Sequence, residues 1–186
     1  MNHFWQTIHG YFTFPDYYRW VAINASSSWR GVEVGVYTGQ SAAFLLVELD
    51  NAWSEAQTRS WLDLVDSHLT EHGAIRNLAP VAHMIGSTHE CDSGEASTRY
   101  ENASLDFVFI DADHSYEAVK RDIAAWLPKV KSGGVIAGHD YCHWPGFGVI
   151  EAVTEAFDRV EVWRGSKGMG DAQMMPRWWP VWSVRI

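Results

Sequence analysis

The stretch Arg30–Leu46, RGVEVGVYTGQSAAFLL, predicts a strand, a glycine-containing turn and a helix in direct succession. It begins with valines at alternate positions, a pattern typical of a buried strand: Val32, Val34 and Val36. The polar run TGQS breaks this strand, and an Ala- and Leu-rich stretch that favours helix follows. Gly35 and Gly39 allow the backbone to turn tightly and approach a ligand, towards which the free amides of the helix start would point.

Glu33 is the unusual member of this strand, because it places a carboxylate among valines. Burying an unpaired carboxylate is costly, so we expect Glu33 to meet a cationic or hydrogen-donating partner. A glycine turn by itself is also compatible with a plain connection between a strand and a helix. The carboxylate beside it favours a nucleotide or sulfonium cofactor site.

Length and composition suit one folded α/β domain that spans residues 1–186, since hydrophobic residues make up 47% of the chain. Residues 1–28 form an aromatic N-terminal segment, which contains a predicted helix at Pro15–Asn24 and is expected to pack on the domain. The formal net charge of -9 argues against nucleic acid as the main partner.

The chain contains no apolar run of the roughly 18 residues that a membrane span needs, and its first residues lack the pattern of a secretion signal. Two cysteines, Cys91 and Cys142, are too few for a disulfide framework. These features predict a cytoplasmic protein with no membrane partner. The 11 tryptophans leave a substrate surface, a homodimer interface and core filling open, with core filling as the default.

An acidic residue ends the second predicted strand, Ser60–Asp66. In doubly wound folds a carboxylate at this place binds ribose hydroxyls. The interval from the glycine turn exceeds the usual ~20 residues, which leaves Asp63 as a rival to Asp66 and a solvated strand end as the plain alternative. A short third strand is predicted at Val81–Ile85, with Ser87 just beyond its end.

Two later strands are also followed by polar clusters. Asp106–Ile110 leads into DADH at 111–114, and Val135–Ala137 leads into GHDY at 138–141. Both strands end at the same edge of a parallel sheet, which is where open α/β sheets bind their ligands. We therefore expect the two clusters to meet. Asp113 precedes a predicted helix, so capping is the plain alternative for it.

Three segments of the chain resemble motifs of class I S-adenosylmethionine-dependent methyltransferases: EVGVYTGQS at 33–41, FIDADHSYEAV at 109–119 and GGVIAGHDY at 133–141. The first motif is closest to the variant found in cation-dependent O-methyltransferases of the caffeoyl-CoA and catechol type. The three motifs together are closer still to a broad group of small, mostly uncharacterised methyltransferases with DADHSYE and GHDY. The resemblance implies a Rossmann-like, doubly wound sheet of seven strands, mostly parallel, with an antiparallel last strand.

The resemblance also implies a set of site residues. S-adenosylmethionine would be held at the glycine turn and the strand ends, by Glu33, Gly35, Tyr37, Gly39, Ser41, Asp66, Ser87 and Asp111. A divalent cation would be held by Asp111, His139 and Asp140. His114 would take the proton of the substrate, for which an ordinary histidine pKa of about 6.5 is suitable, and Asp140 would act with it in catalysis.

The chain departs from the resembling family at two of these places. The family pair Asp-Asn is His139-Asp140 here, and the usual lysine base is His114. A nitrogen ligand suits Mn²⁺, Fe²⁺ or Zn²⁺ better than Mg²⁺ or Ca²⁺. His139 could instead serve as a second base or as a ring that stacks near the substrate, so the need for a cation stays open.

The expected function is methyl transfer from S-adenosylmethionine to a hydroxyl of a small molecule. A hydroxyl is a weak nucleophile near neutral pH and needs a base or a metal that lowers its pKa. A hydrolase or an NAD-linked enzyme is disfavoured, because the chain has neither G-x-S-x-G nor a G-x-G-x-x-G turn. The remaining alternative is a non-catalytic module that binds S-adenosylmethionine or its product and acts through protein partners. The segment GSKGMGDAQMMPRWWP at 165–180 is predicted to be a lid or a dimer contact.

Overall fold

A seven-stranded mixed sheet forms the centre of the structure, a computed structural model that describes residues 3–53, 60–164, 169–170 and 179–186. Among these residues there are nine strands: β1 (Tyr11–Phe12), β2 (Arg30–Val34), β3 (Trp61–Val65), β4 (Ile85–His89), β5 (Leu105–Ile110), β6 (Val130–Gly138), β7 (Glu161–Trp163), β8 (Met169–Gly170) and β9 (Val181–Arg185). The large sheet has the order β4-β3-β2-β5-β6-β9-β7, and β1 pairs separately with β8.

The sheet is parallel from β4 to β6, and β9 runs antiparallel to both of its neighbours, β6 and β7. The predicted mostly parallel sheet of seven strands with an antiparallel last strand is therefore confirmed. Apart from residues 169–170, 179 and 180, the segment predicted to be a lid or dimer contact lies outside the described residues.

Helices cover both faces of the sheet: α1 (Pro15–Asn24), α2 (Gln40–Trp53), α3 (Ala74–Asn77), α4 (Ser93–Ser97), α5 (Tyr116–Trp126) and α6 (Val149–Ala156). Alternate side chains of β5 point to opposite faces, as the strand pleat requires. Phe107 and Phe109 pack in the core that contains α1 and α2, whereas Val108 and Ile110 pack in the core that contains α5 and α6. In the described parts of the chain, no helix has the length and apolarity to cross a membrane.

The strand predicted at Val81–Ile85 is wrong. Residues Ala79–Met84 form a 3-10 helix instead, and the strand that follows them is β4, Ile85–His89. Pro80 lacks an amide hydrogen and suits the start of a helical turn, which places Val81 in the core. Strand β4 lies at the edge of the sheet with much of its surface exposed, so its sequence GSTH is polar and lacks the apolar pattern that would predict a strand.

Buried Glu33 links the central strand β2 to two helices. The hydroxyl of Tyr18 in α1 donates to Glu33 Oε2 at 3.0 Å, and the hydroxyl of Ser41 in α2 donates to Oε1 at 2.5 Å. The expected hydrogen-donating partners of this carboxylate are thus confirmed. Burial raises the pKa of Glu33 to about 8, against the lowering effect of the two hydroxyls.

Gly35 allows the turn after β2 to press against the end of β5. Its φ is +87°, and a Cβ at this position would lie 2.0 Å from the carbonyl oxygen of Asp111. The amide of Gly35 donates to the carbonyl of Val65 at 2.8 Å, and the amide of Asp111 donates to that of Val34 at 2.7 Å. The ends of β2, β3 and β5 are thereby joined through their backbones.

We expect Gly35→Ala to lower the free energy of unfolding by about 3 kcal/mol or more, because the new Cβ would collide with backbone. Gly133→Ala is the matched control, since Gly133 has a φ of +82° but no atom of the described residues within 4 Å of its Cβ position. The control should lose only about 1 to 2 kcal/mol. Chemical denaturation of both variants measures the difference, and equal losses would contradict the close contact.

Glu33→Gln should remove a pH dependence of stability. The folded-state pKa of Glu33 is raised from 4.5 to about 8, so its contribution is complete below the lower value and is lost as the pH rises through the upper one. Because glutamine cannot ionise, the variant should match the wild type near pH 4 and exceed it by about 5 kcal/mol near pH 9. Urea unfolding measures this.

The matched control for this experiment is Glu117→Gln, a change at an exposed glutamate of α5. Its stability relative to the wild type should not vary over the same pH range. A difference between Glu33→Gln and the wild type that is flat with pH would show that the buried carboxyl is not held in its protonated form.

Candidate active site

Three neighbouring strands end at the same level at one edge of the sheet. Val34 pairs with Ile110, and Ile110 pairs with Gly138, so the residues that follow these three come together. Those residues are Gly35, Asp111 and His139. The expectation that the two polar clusters meet is confirmed.

Two adjoining cavities open at this edge. The polar cavity, of about 410 Å³, is lined by the end of β3, by the segment after β4 and by α5: Asp66, Ser67, Cys91, Asp92, Ser93, Arg121 and Asp122 are among its residues. The apolar cavity, of about 270 Å³, is lined by the N-terminal segment and by the ends of β5 and β6. Both are lined by Gly35, Tyr37 and Asp111, which therefore lie at their junction.

Asp66 shapes the glycine turn beside the polar cavity. Its Oδ2 accepts the amide hydrogens of Val36 and Tyr37 at 2.9 and 2.8 Å, and its Oδ1 accepts that of His68 at 2.8 Å. Tyr37 is held there with a φ of 49°, which is uncommon for a residue other than glycine. The rival carboxylate, Asp63, is 4% exposed and accepts a hydrogen bond from the Tyr100 hydroxyl, and it lines neither cavity.

Of the other predicted cofactor residues, some line a cavity and others do not. Ser41 lines the apolar cavity. Glu33 does not line this cavity, but it accepts the hydrogen bond of the Ser41 hydroxyl. Gly39, with a φ of +85°, lies just before α2 against the Leu78 side chain and lines neither cavity.

Ser87 also lies away from both cavities, in the middle of the edge strand β4. Its predicted place at a strand end followed from the wrong strand bounds. The residues that take this place are Cys91, Asp92 and Ser93, which sequence reasoning missed. Pro80 was the sequence signal for this correction, because a proline suits the start of a helical turn and so places the strand after Met84.

Two carboxylates and two imidazoles cluster on the wall of the apolar cavity. His114 Nε2 lies 2.6 Å from Asp140 Oδ2 and 3.6 Å from Asp111 Oδ1. His139 Nδ1 lies 3.2 and 3.6 Å from the same two oxygen atoms. The four side chains predicted as base and cation ligands are thus together. His114 is the most exposed of them, with 31% of its side chain accessible, although its Nε2 atom is buried.

The charges of this cluster are mutually stabilised. Burial lowers the pKa of each histidine, but the charges and hydrogen bonds of Asp111 and Asp140 outweigh it and raise the pKa of His114 and of His139 to about 10. Burial alone would raise the pKa of Asp140, yet the two histidines hold it below its usual value. The two carboxylates therefore favour the protonated form of each imidazole.

The backbone at Asp140 carries strain. Its φ of 56° lies in the left-handed region, which non-glycine residues rarely adopt. Such conformations persist where surrounding structure enforces them, and they concentrate at functional sites. Here the conformation places the carboxylate between the two imidazole rings.

The donor set at the end of β5 and β6 fits a divalent cation. Asp111, His139 and Asp140 each offer one ligand atom, and these atoms all lie within 4.8 Å of one another. Carboxylate oxygen and imidazole nitrogen together suit first-row divalent metals. Asp113 does not belong to this set. Its Oδ1 accepts the amide hydrogen of Ser115, which is itself the N-cap residue of α5, so the bond closes a local turn and is not the predicted cap of the free helix amides.

The N-terminal segment supplies a wall of the apolar cavity that sequence reasoning missed. Gly10, Tyr11, Phe12 and Thr13 line it, together with Phe147 and Trp179. Phe147 stacks on the ring of His114 with the centroids 4.6 Å apart. The first 14 residues carry no sequence pattern that predicts this contact, because it depends on tertiary packing against the glycine turn.

A family model described as a methyltransferase domain matches residues 32–141, which is more than half of the chain. Among curated proteins, none matches the chain significantly in sequence. The matched stretch contains the glycine turn, Asp66 and the whole cluster of Asp111, His114, His139 and Asp140.

Solved structures share the fold at low sequence identity. The O-methyltransferase TomG from Streptomyces achromogenes, in complex with SAM, has a TM-score of 0.65 at 16% identity, over 92% of this chain and 78% of that one. An O-methyltransferase from Bacillus cereus in complex with SAH has a TM-score of 0.63 at 17% identity, over 97% and 85%.

An rRNA methylase from Streptococcus thermophilus is also similar, with a TM-score of 0.63 at 9% identity, over 91% of this chain and 93% of that one. These likenesses concern the fold, whereas the family match covers the site residues themselves. The chain belongs to the methyltransferase-domain family and is a class I S-adenosylmethionine-dependent methyltransferase.

Proposed function

We propose that the protein transfers the methyl group of S-adenosylmethionine to a hydroxyl group of a small molecule, with His114 as base and Asp111, His139 and Asp140 as ligands of a divalent cation. The observation that carries the proposal is the cluster of two carboxylates and two imidazoles on the wall of an apolar cavity. That cavity joins the polar cavity at the glycine turn.

The cofactor would extend across both cavities. Its nucleoside part suits the polar cavity, where the Asp66 carboxylate lies near the turn and retains lone pairs for ribose hydroxyls. Its methionine part would pass Gly35, Tyr37 and Asp111 towards Ser41. This arrangement directs the sulfonium methyl group into the apolar cavity.

The acceptor would occupy the apolar cavity. Its volume of about 270 Å³ and its ring-rich lining of Tyr11, Phe12, Phe147 and Trp179 favour a small, flat, largely apolar molecule that bears a hydroxyl. The net charge of -9 opposes binding of an RNA backbone. TomG and the Bacillus cereus protein, which share the fold, are themselves O-methyltransferases.

Methyl transfer is an in-line displacement, and positioning supplies much of its rate. The hydroxyl oxygen of the acceptor forms a bond to the methyl carbon, the bond from carbon to sulfur breaks with its electron pair staying on sulfur, and S-adenosylhomocysteine is released. The hydroxyl proton passes to the imidazole of His114. A divalent cation, when bound, supplies a Lewis acid that lowers the pKa of such a hydroxyl.

His114 must be neutral before it can accept this proton. Facing Asp111 and Asp140, it has a pKa raised to about 10 and therefore holds a proton at neutral pH. It becomes a competent base only when another positive charge, such as a bound divalent cation, compensates the charge of the two carboxylates. This requirement favours a reaction that depends on Asp111 and Asp140 as ligands.

Asp140→Asn tests the proposal. Asparagine tolerates the left-handed backbone at this position, so the fold should be kept while a ligand charge and the partner of His114 are lost. We expect methyl transfer to catechol and simple phenols, measured with isotopically labelled S-adenosylmethionine and Mn²⁺, to fall at least ~100-fold. Affinity for S-adenosylhomocysteine, measured without metal, should change less than ~3-fold, since Asp140 is not among the residues along which the cofactor is placed.

Asp158→Asn, at an exposed loop position, is the control and should behave as the wild type. A wild type that binds S-adenosylhomocysteine but methylates none of a panel of phenols, catechols and aliphatic alcohols would favour the non-catalytic binding module. Undiminished turnover by Asp140→Asn would remove this residue from the chemistry.

A further inference from the structure

Thr13 makes the contact that connects the N-terminal segment to the proposed cation site. Its Oγ1 lies 2.8 Å from Nε2 of His139, and both side chains are buried. The two residues are 126 positions apart in the chain, so only the fold brings them together.

The imidazole of His139 has a contact at each ring nitrogen and a third with an aromatic ring. Nδ1 points to the carboxylates, 3.2 Å from Asp140 Oδ2 and 3.6 Å from Asp111 Oδ1. Nε2 points the other way, to Thr13. The ring of Phe14 packs beside it with a centroid distance of 4.7 Å. The ring therefore has one orientation, with Nδ1 on the side of the predicted ligands.

We propose that Thr13 is a positioning residue, which accepts the Nε2 hydrogen of His139 and thereby reserves the Nδ1 lone pair for a divalent cation between Asp111 and Asp140. This inference rests on the cation site of the proposed function. A metal-bound imidazole keeps one N–H, and the group that accepts that hydrogen fixes both the tautomer and the ring orientation. The Thr13 hydroxyl occupies that place here.

The segment that carries Thr13 is itself tied to the glycine turn. The Thr38 hydroxyl donates to the carbonyl of His9 at 2.5 Å, and the rings of Tyr11 and Tyr37 stack with centroids 5.9 Å apart. Tyr37 lies at the junction of the two cavities. Thr13 therefore joins the ligand His139 to the same turn that faces the cofactor.

Thr13→Val tests this role, because valine keeps the branched shape and removes only the hydroxyl. We expect calorimetric titration with Mn²⁺ to show an affinity about 10- to 100-fold below that of the wild type. Thr13→Ser restores a hydroxyl and should bind Mn²⁺ within about 3-fold of the wild type. Thr7→Val, a change at an exposed threonine of the same segment, should have no effect.

A second measurement needs no substitution. Long-range ¹H–¹⁵N correlation spectra of the wild type, loaded with Zn²⁺ as a diamagnetic probe, report which ring nitrogen of His139 carries hydrogen. We expect the hydrogen on Nε2 and the metal on Nδ1. A hydrogen on Nδ1 would overturn the inference even if Thr13→Val failed to fold.

Other outcomes distinguish a failure of the Thr13 role from a failure of the proposed function on which it rests. Equal Mn²⁺ affinity of Thr13→Val and the wild type would overturn the role of Thr13 and leave the cation site standing. Absence of Mn²⁺ and Zn²⁺ binding by the wild type would overturn the cation site and the inference together. Titration of S-adenosylhomocysteine into the same metal-free samples tests cofactor binding independently, and there all variants should match the wild type.

Discussion

The contact between Gly35 and the carbonyl of Asp111 is the constraint on which the site depends. A side chain at position 35 would meet that carbonyl at 2.0 Å, so only glycine lets the turn after β2 lie directly against the end of β5. This approach gives the polar and apolar cavities a common wall. A ligand that fills the first cavity can therefore present a group to the second.

A second constraint is electrostatic. Four ionisable side chains from the segments that follow β5 and β6 lie together on the wall of an apolar cavity, where single charges would be costly. Each histidine lies near both carboxylates, so no charge is unpaired. The same pairing keeps His114 protonated, which makes its use as a base conditional on a change at Asp111 and Asp140. Buried Glu33 avoids the cost of a buried charge in another way, because burial raises its pKa to about 8 and its carboxyl stays protonated near neutral pH.

The parts of the fold that follow from local pattern could be predicted. Helix α1 has its predicted bounds, since Pro15 suits a first turn and the apolar positions recur at helical spacing. Strand β2 and the meeting of Asp111 with His139 and Asp140 also followed, because parallel strands end at one edge.

The parts that depend on long-range packing could not be predicted. An apolar run at Val81–Ile85 was interpreted as a strand, although the polar edge strand β4 follows it. Ser87 was misplaced as a result, and Cys91 to Ser93 were missed. The wall formed by Gly10 to Thr13, with the bond from Thr13 to His139, has no periodicity or motif of its own. Only the tertiary fold reveals it.

Calorimetric titration of S-adenosylhomocysteine into the purified protein, first metal-free and then with Mn²⁺, tests the central claim most directly. The claim is that a cofactor cavity and a cation site share one edge of the sheet through Gly35 and Asp111. The account predicts micromolar binding without metal and an affinity that changes when Mn²⁺ is present. Absence of binding under both conditions would contradict it.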